Sequence, residues 1–426
     1  MSTAILFGLM ILLILVGIPI GITIGVATAV VMAYTTPMPL MVIAQKACTG
    51  LDSFPLLGVP FFILAGSLMC NGGISKRLID LAESLVGYIV GGLAMVTVMA
   101  CMFFAAISGS GPATVSAIGS FMIPAMKERH YGGGFAAAVT AAAGTIGVII
   151  PPSIPFVIYC IVAQVSIGDM FIAGIVPGII IGIALMGTCY LIARKRGYVS
   201  HAERVTTKDV MINLREALWA LMVPVIILGG IYSGVFTPTE AAVVSVVYAI
   251  LIGKFVYKEL DYAKFYQSMR DTALVNGSLM FMIGLSIAFA NYISLAQVPA
   301  KISSTLSLFI GSPFMLLLII NIFLLILGCF VDNIAAVIIL TPLLLPVVRQ
   351  VGVDPIHFGL IVTFNLAIGF ITPPYGINLF VASTVSGESI ESISREILPF
   401  IVSLILCLMV FTYFPVFTMG LLKLIR

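Results

Sequence analysis

Long apolar runs alternate with short polar turns along this chain, and three of the runs, residues 87–126, 171–193 and 302–331, carry no charged side chain. A helix needs about 20 apolar residues to cross a bilayer, so the pattern predicts roughly ten to twelve membrane helices. In the second half it predicts spans over 216–233, 240–256 and 272–297, a hairpin over 303–348, an interrupted span over 356–385 and a last span over 397–420. The first half fits the same plan: two short spans within 4–34 around Gly17-Ile-Pro19, a span near 57–74, a hairpin over 84–126, an interrupted span over 133–163 and a span over 171–193. The first apolar run lacks the basic start and cleavage site of a signal peptide and is read as retained.

Both interrupted spans break alike, at Ile146-Gly-Val-Ile-Ile-Pro-Pro152 and at Ile368-Gly-Phe-Ile-Thr-Pro-Pro374. Proline removes a backbone donor and clashes with the preceding turn, which leaves free carbonyls that a membrane interior tolerates only around a site. Pro151 and Pro373 lie 222 positions apart, as do Gly147 and Gly369, and Pro124 and Pro346. This register marks a duplication, with residues 1–210 as the first repeat and 211–426 as the second. A hairpin enters and leaves on one side, so each unit crosses five times, and an odd number inverts the next copy. The expected fold is an all-α polytopic membrane protein of two inverted repeats, each with a re-entrant hairpin and a broken helix, as in alternating-access carriers.

Charge supplies the orientation. Arg194, Lys195, Arg196, Arg204, Lys208 and Arg215 fill one loop, and Lys254, Lys258, Lys264 and Arg270 fill another two crossings later; both are expected in the cytoplasm. The same count places Lys127, Glu128 and Arg129 in the cytoplasm and Arg349 on the opposite face. Glu240, after Thr-Pro-Thr239, suits the first turn of a helix. Hydrophobic residues make up 61% of the chain and charged residues 9%, against about 25% charged in a soluble domain. A net charge of +3 argues against a nucleic-acid partner. The seven scattered cysteines read as small buried hydrophobes.

Candidate chemistry sits at the hairpins. Ala106-Ile-Ser-Gly-Ser-Gly-Pro-Ala-Thr114 interrupts an apolar run with three hydroxyls, which can ligate a cation or cap a half-helix facing an anion; small residues also permit close helix packing. Ser110 and Gly111 correspond in register to Asp332 and Asn333. Asp332 has no other charge near it between residues 302 and 348. A carboxylate at that depth costs several kcal/mol unless it is paired, hydrated or cation-bound. It reads as a sodium ligand, a proton carrier or a helix cap.

The order of Asp52-Ser-Phe-Pro-Leu-Leu, Pro60-Phe-Phe-Ile-Leu-Ala-Gly66, Ser108-Gly-Ser, Ile149-Ile-Pro-Pro-Ser-Ile-Pro155 and Ile371-Thr-Pro-Pro-Tyr-Gly376 resembles the large membrane subunit of tripartite ATP-independent periplasmic (TRAP) transporters. The resemblance covers essentially the whole chain. It implies a bacterial inner-membrane carrier that takes up organic acids of the sialic acid or C4-dicarboxylate class with sodium as coupling ion. It also implies substrate delivery by a soluble periplasmic binding protein and a smaller membrane subunit as a separate chain. An elevator is implied, in which both hairpins and both broken helices move against a scaffold of the remaining spans. One implied sodium site uses Ser108, Ser110 and the carbonyls around Gly147 and Ile150, and the other Gly328, Asp332, Gly369 and Thr372; Ser153 and Asn333 complete the expected sodium and substrate residues. Gly111-Pro112 follows Ser110 where many relatives have another small residue.

The chain has no phosphate-binding GxxxxGK[ST] loop, so no ATPase activity is expected. No organic cofactor is expected, and His130, His201 and His357 fall in or near predicted loops. A channel and a membrane-embedded enzyme are the alternatives; two equivalent gates favour a carrier.

Overall fold

The computed structural model describes residues 2–198, 206–298, 313–329, 331–373 and 376–425. The start of the second expected hairpin, 303–312, and Arg204, His201 and Pro374 lie outside the described residues. Among the described residues the secondary structure is helical, without strands, and seven helices are long and apolar enough to cross a membrane.

The amino-terminal helices are α1 (Ser2–Leu15), α2 (Ile20–Thr35), α3 (Met41–Leu51), α4 (Gly58–Asn71) and α5 (Ile74–Val86). α3 and α5 are additions to the sequence-based plan. In α5, Lys76, Arg77, Asp80 and Glu83 recur three or four positions apart, which leaves Ile74, Leu78, Leu81 and Ala82 to bury the other face. That spacing makes a short amphipathic helix, so the first hairpin starts later than expected, as α6 (Gly92–Ser108) and α7 (Gly111–Glu128).

The first broken helix is α8 (Gly133–Gly144), a 3-10 turn (Thr145–Val148) and α9 (Ile154–Ala163), followed by α10 (Ile167–Arg196). α11 (Thr207–Tyr232), α12 (Pro238–Leu251) and α13 (Tyr262–Leu295) come next. α13 begins ten residues earlier than expected because Asp261 caps it, accepting a hydrogen bond from Lys264 N at 2.7 Å. Glu240 takes the expected helix-start role, its carboxylate accepting from Thr237 N at 2.8 Å in a capping box.

The second hairpin is α14 (Pro313–Gly328) and α15 (Asn333–Gln350), and the second broken helix is α16 (Pro355–Gly369) and α17 (Ile377–Ser386). The last expected span divides at Phe414-Pro415 into α18 (Ile390–Tyr413) and α19 (Val416–Ile425), since proline ends a helix. α7 and α15 are both 18 residues long, begin 222 positions apart and carry Pro124 and Pro346 at matching places.

Polar contacts define two ends of the bundle. At one end Arg77 pairs with Glu259, Lys127 with Glu388 and Arg196 with Glu396, each at 2.7 Å. Gly91 at the start of α6 lies against Ala193, so both ends of the first hairpin sit here. α10 runs from Asp169 to Arg196 and α18 from Glu396 to Tyr413, each crossing to the other end. There the Tyr413 hydroxyl donates to Phe314 O at 3.3 Å and the Tyr159 hydroxyl to Pro355 O at 2.5 Å, beside Arg349 and Asp354. The described arms of the second hairpin therefore open to the opposite end.

α13 packs against α2, α3 and α4 and also against α15, α4 packs against α12 and α6, and α5 against α6, while the hairpins and broken helices pack on one another and on α10 and α18. His357 is buried in the first turn of α16 rather than in a loop: Pro355 and the Asp354 cap start that helix one residue earlier, and the ring meets Thr418 Oγ1 at 2.7 Å and Thr412 O at 3.3 Å. Cys48 is exposed and departs from the buried reading of the cysteines.

Candidate functional site

Both hairpin tips meet at a cavity of about 540 Å³. Ser108, Gly109, Ser110 and Gly111 line it from the first tip, Asp332 and Asn333 from the second, and residues of α4 and α13 close the other sides. The first tip turns through Gly109, whose φ of +62° suits glycine, and its carbonyl accepts from Ile154 N at 3.2 Å. That bond seats the tip on the break of the first broken helix, well away from either bundle end. Ser110 caps α7 in extended backbone, and Gly111-Pro112 opens that helix, where a missing N–H costs nothing.

Around this tip the oxygens converge. Ser108 Oγ lies 3.0 Å from Thr114 Oγ1, which donates to Ser110 O at 2.8 Å. A Cβ added at Gly147 would stand 2.7 Å from both Ser110 O and Thr114 Oγ1, so glycine is what lets the broken helix approach these atoms. Ser153 bridges the break, donating to Val148 O at 2.7 Å and accepting from Phe156 N at 3.3 Å. Its buried hydroxyl is thus engaged in capping and does not line the cavity. The Ile150 side chain also points elsewhere, into a separate apolar cavity of about 430 Å³ beside α10 and α11.

The second tip is built differently. Asp332 caps α15, its Oδ1 accepting from Ile334 N at 2.9 Å and Ala335 N at 3.4 Å. The helix-cap reading is therefore realised, and the carboxylate still lines the cavity. Next to it Asn333 is fully buried with neither amide atom hydrogen-bonded, an arrangement that costs about 1–3 kcal/mol per group unless something binds there. Gly328 and Gly369 touch backbone to backbone: a Cβ on Gly369 would fall 2.2 Å from Gly328 O. Thr372, at the end of the break, donates to Ile368 O at 2.8 Å. The structure thus brings Ser108, Ser110, Asp332 and Asn333 to one cavity, with Gly147 behind the first tip and Gly328, Gly369 and Thr372 at the second hairpin's junction with its broken helix.

Several lining residues were not anticipated. Gln267, Asp271 and Thr272 on α13, and Cys70 and Asn71 on α4, face the hairpin tips. Asn378, buried in the first turn of α17, donates to Ala141 O at 3.1 Å and holds its unpartnered Oδ1 near Gly111. A signal existed for α13, because Gln267 with Asp271 and Thr272 with Asn276 are polar pairs four positions apart within a membrane span. Among the described residues no three His, Cys, Asp or Glu side chains converge.

The family model for the tripartite ATP-independent periplasmic transporter, DctM component, matches residues 7–417. The chain is 48% identical over 415 residues to the isethionate TRAP transporter permease protein DctMQ of Oleidesulfovibrio alaskensis, covering 97% of this chain and 65% of that protein. It is 43% identical over 370 residues to the C4-dicarboxylate TRAP transporter large permease protein DctM of Pseudomonas aeruginosa, with 87% and 86% covered. It is 40% identical over 376 residues to the sialic acid TRAP transporter large permease protein SiaM of Vibrio cholerae, with 88% of each covered. The crystal structure of the Alcanivorax borkumensis YdaH transporter shares the fold at a TM-score of 0.63 and 13% identity, over 90% of both chains. On these matches and its apolar helices, the chain belongs to the DctM component family of TRAP transporters, a multi-pass bacterial inner-membrane transporter component rather than an enzyme.

Proposed function

We propose that this chain is the carrier subunit of a sodium-coupled system that takes up a small organic acid by alternating access. The observation that carries the proposal is the cavity in which two hairpin tips, from opposite ends of the bundle, meet beside two broken helices. Among the described residues its charged lining residues are Asp271 and Asp332, so an organic anion bound there brings its neutralising cations with it. The hydroxyls and carbonyls around Ser108, Ser110 and Thr114, and the Asp332 carboxylate, are hard oxygen donors of the kind that hold sodium. The names of relatives point to an acid of the sialic acid or C4-dicarboxylate class, and the sulfonate isethionate shares the single feature such acids have in common, a compact anionic head.

The matching 18-residue arms and the opposed hairpins support an inverted repeat. In this reading the hairpins, broken helices, α10 and α18 move as one body against α1 to α5 and α11 to α13. A small membrane subunit covers the scaffold, and a periplasmic binding protein delivers the acid.

Proteoliposomes holding the chain with both partners should accumulate labelled acid in sodium and lose roughly nine-tenths or more of that uptake in choline, the loss expected when a carrier's charge-balancing ligand is withdrawn. Uptake sustained by a proton gradient alone would contradict the coupling. Sidedness gives a second expected result. In a Cys48→Ser background, Arg129→Cys should react with an impermeant thiol reagent only from the cytoplasm and Arg349→Cys only from the periplasm. Labelling of both from one side would break the inverted arrangement.

A further inference from the structure

We propose that Asp271 repels the bound organic anion when the site faces the cytoplasm, making release there easier than rebinding. The inference rests on the carrier reading above and adds a residue that the hairpins do not supply. Asp271 lines the cavity from α13, one turn after Gln267 and one before Val275, and is exposed. It takes part in no hydrogen bond or ion pair among the described residues. Asp332, the other acid of the cavity, is held by two backbone N–H groups at the second tip. Among the described residues no lysine, arginine or histidine lines the cavity to offset either charge.

Position makes the charge one-sided. The start of α13 is tied to the basic end of the bundle, where Lys264 Nζ donates to Glu259 O at 2.8 Å and Arg77 pairs with Glu259. Asn71, at the same end of α4, donates to Ser268 Oγ at 2.8 Å. With Lys254, Lys258 and Arg270 alongside, this end is cytoplasmic by the positive-inside rule. α13 packs on α2, α3 and α4 and also on α15 of the second hairpin; assigned to the scaffold with α2 to α4, it keeps Asp271 in place while the tips move. The anion therefore meets this carboxylate at the cytoplasmic end of its travel and leaves it behind at the other. Two like charges about 8 Å apart, at effective dielectric constants between water and a protein surface, change an equilibrium by roughly twofold to thirtyfold.

The test uses sided proteoliposomes of the full three-component system and whichever of labelled isethionate, succinate and N-acetylneuraminate the wild type accumulates. Asp271→Asn should lower the cytoplasmic-side KM, read from exchange, roughly threefold or more, with the periplasmic-side KM unchanged; Asp271→Glu should restore the wild-type ratio. Raising choline chloride should bring the wild type toward the variant, because salt screens an exposed charge. Equal shifts on both sides, or an unchanged ratio, would overturn the role of Asp271. A wild type that moves none of the acids, or moves them without sodium, would instead overturn the carrier reading.

Discussion

Asp332→Asn should lower sodium-dependent uptake roughly tenfold to a hundredfold, the loss expected when a ligand worth about 1.5–3 kcal/mol of charge-assisted binding is neutralised. Asparagine caps helices about as well as aspartate, so the bonds to Ile334 N and Ala335 N survive and the substitution isolates the charge. Expression and thermal stability should stay near wild type. Asp332→Ala removes the cap as well and should lower stability by about a further 1 kcal/mol. Glu388 is unsuitable as the neutral comparison that its loop position suggests, because it pairs with Lys127 at 2.7 Å. Glu391→Gln is better, since its pair with Arg395 is more than three-quarters exposed on both side chains and such pairs contribute about 0–1 kcal/mol. Sodium titration of uptake decides the matter: an Asp332→Asn protein with wild-type sodium dependence reduces the residue to a helix cap.

Gly369→Ala should be strongly damaging. Its Cβ would lie 2.2 Å from Gly328 O and 2.3 Å from Gly328 C, so backbone rather than a flexible side chain must yield. Overpacking of this kind costs about 1–3 kcal/mol or more, and the shift falls on the junction of the second hairpin with its broken helix. Gly328→Ala meets its nearest atom at 3.3 Å and should be milder, and Gly147→Ala, at 2.7 Å from Ser110 O, should fall between them. Gly187→Ala in α10 meets nothing within 4 Å and should be neutral or slightly stabilising, because alanine favours a helix by up to about 1 kcal/mol over glycine. Thermal unfolding of the purified proteins, together with uptake, gives the order; a Gly369→Ala protein as stable and active as Gly187→Ala would show that the two backbones need not touch.

Much of the site was legible because its causes are local. Gly147, Gly369 and the paired prolines break helices wherever they stand, and Asp332 in an uncharged run has few alternatives to a cap or an ion. Ser153 sits beside a break, yet its hydroxyl turns back to Val148 O. Rotamer and packing decide such matters, and nearness in sequence does not. His357 was expected in or near a loop and lies next to one, in the first turn of α16, where proline is at home and the ring is drawn inward by Thr412 and Thr418.

The sequence by itself determined the membrane class, the breaks, the hairpin tips and the basic end, since each depends on hydrophobic length, on proline and glycine stereochemistry, or on where charges can reach water. Only the tertiary structure decided that α4 and α13 wall the cavity, that Asn333 and Asn378 carry unpartnered amide atoms beside it, and that Gly328 and Gly369 meet. Those facts arise from contacts between segments far apart in the chain, such as the 41 positions between Gly328 and Gly369, and a side chain's surroundings there are set by which helices pack together. The polar residues of α13 were visible in the sequence, and Gln267, Asp271 and Thr272 became a wall of the site only when the hairpin tips were placed against them.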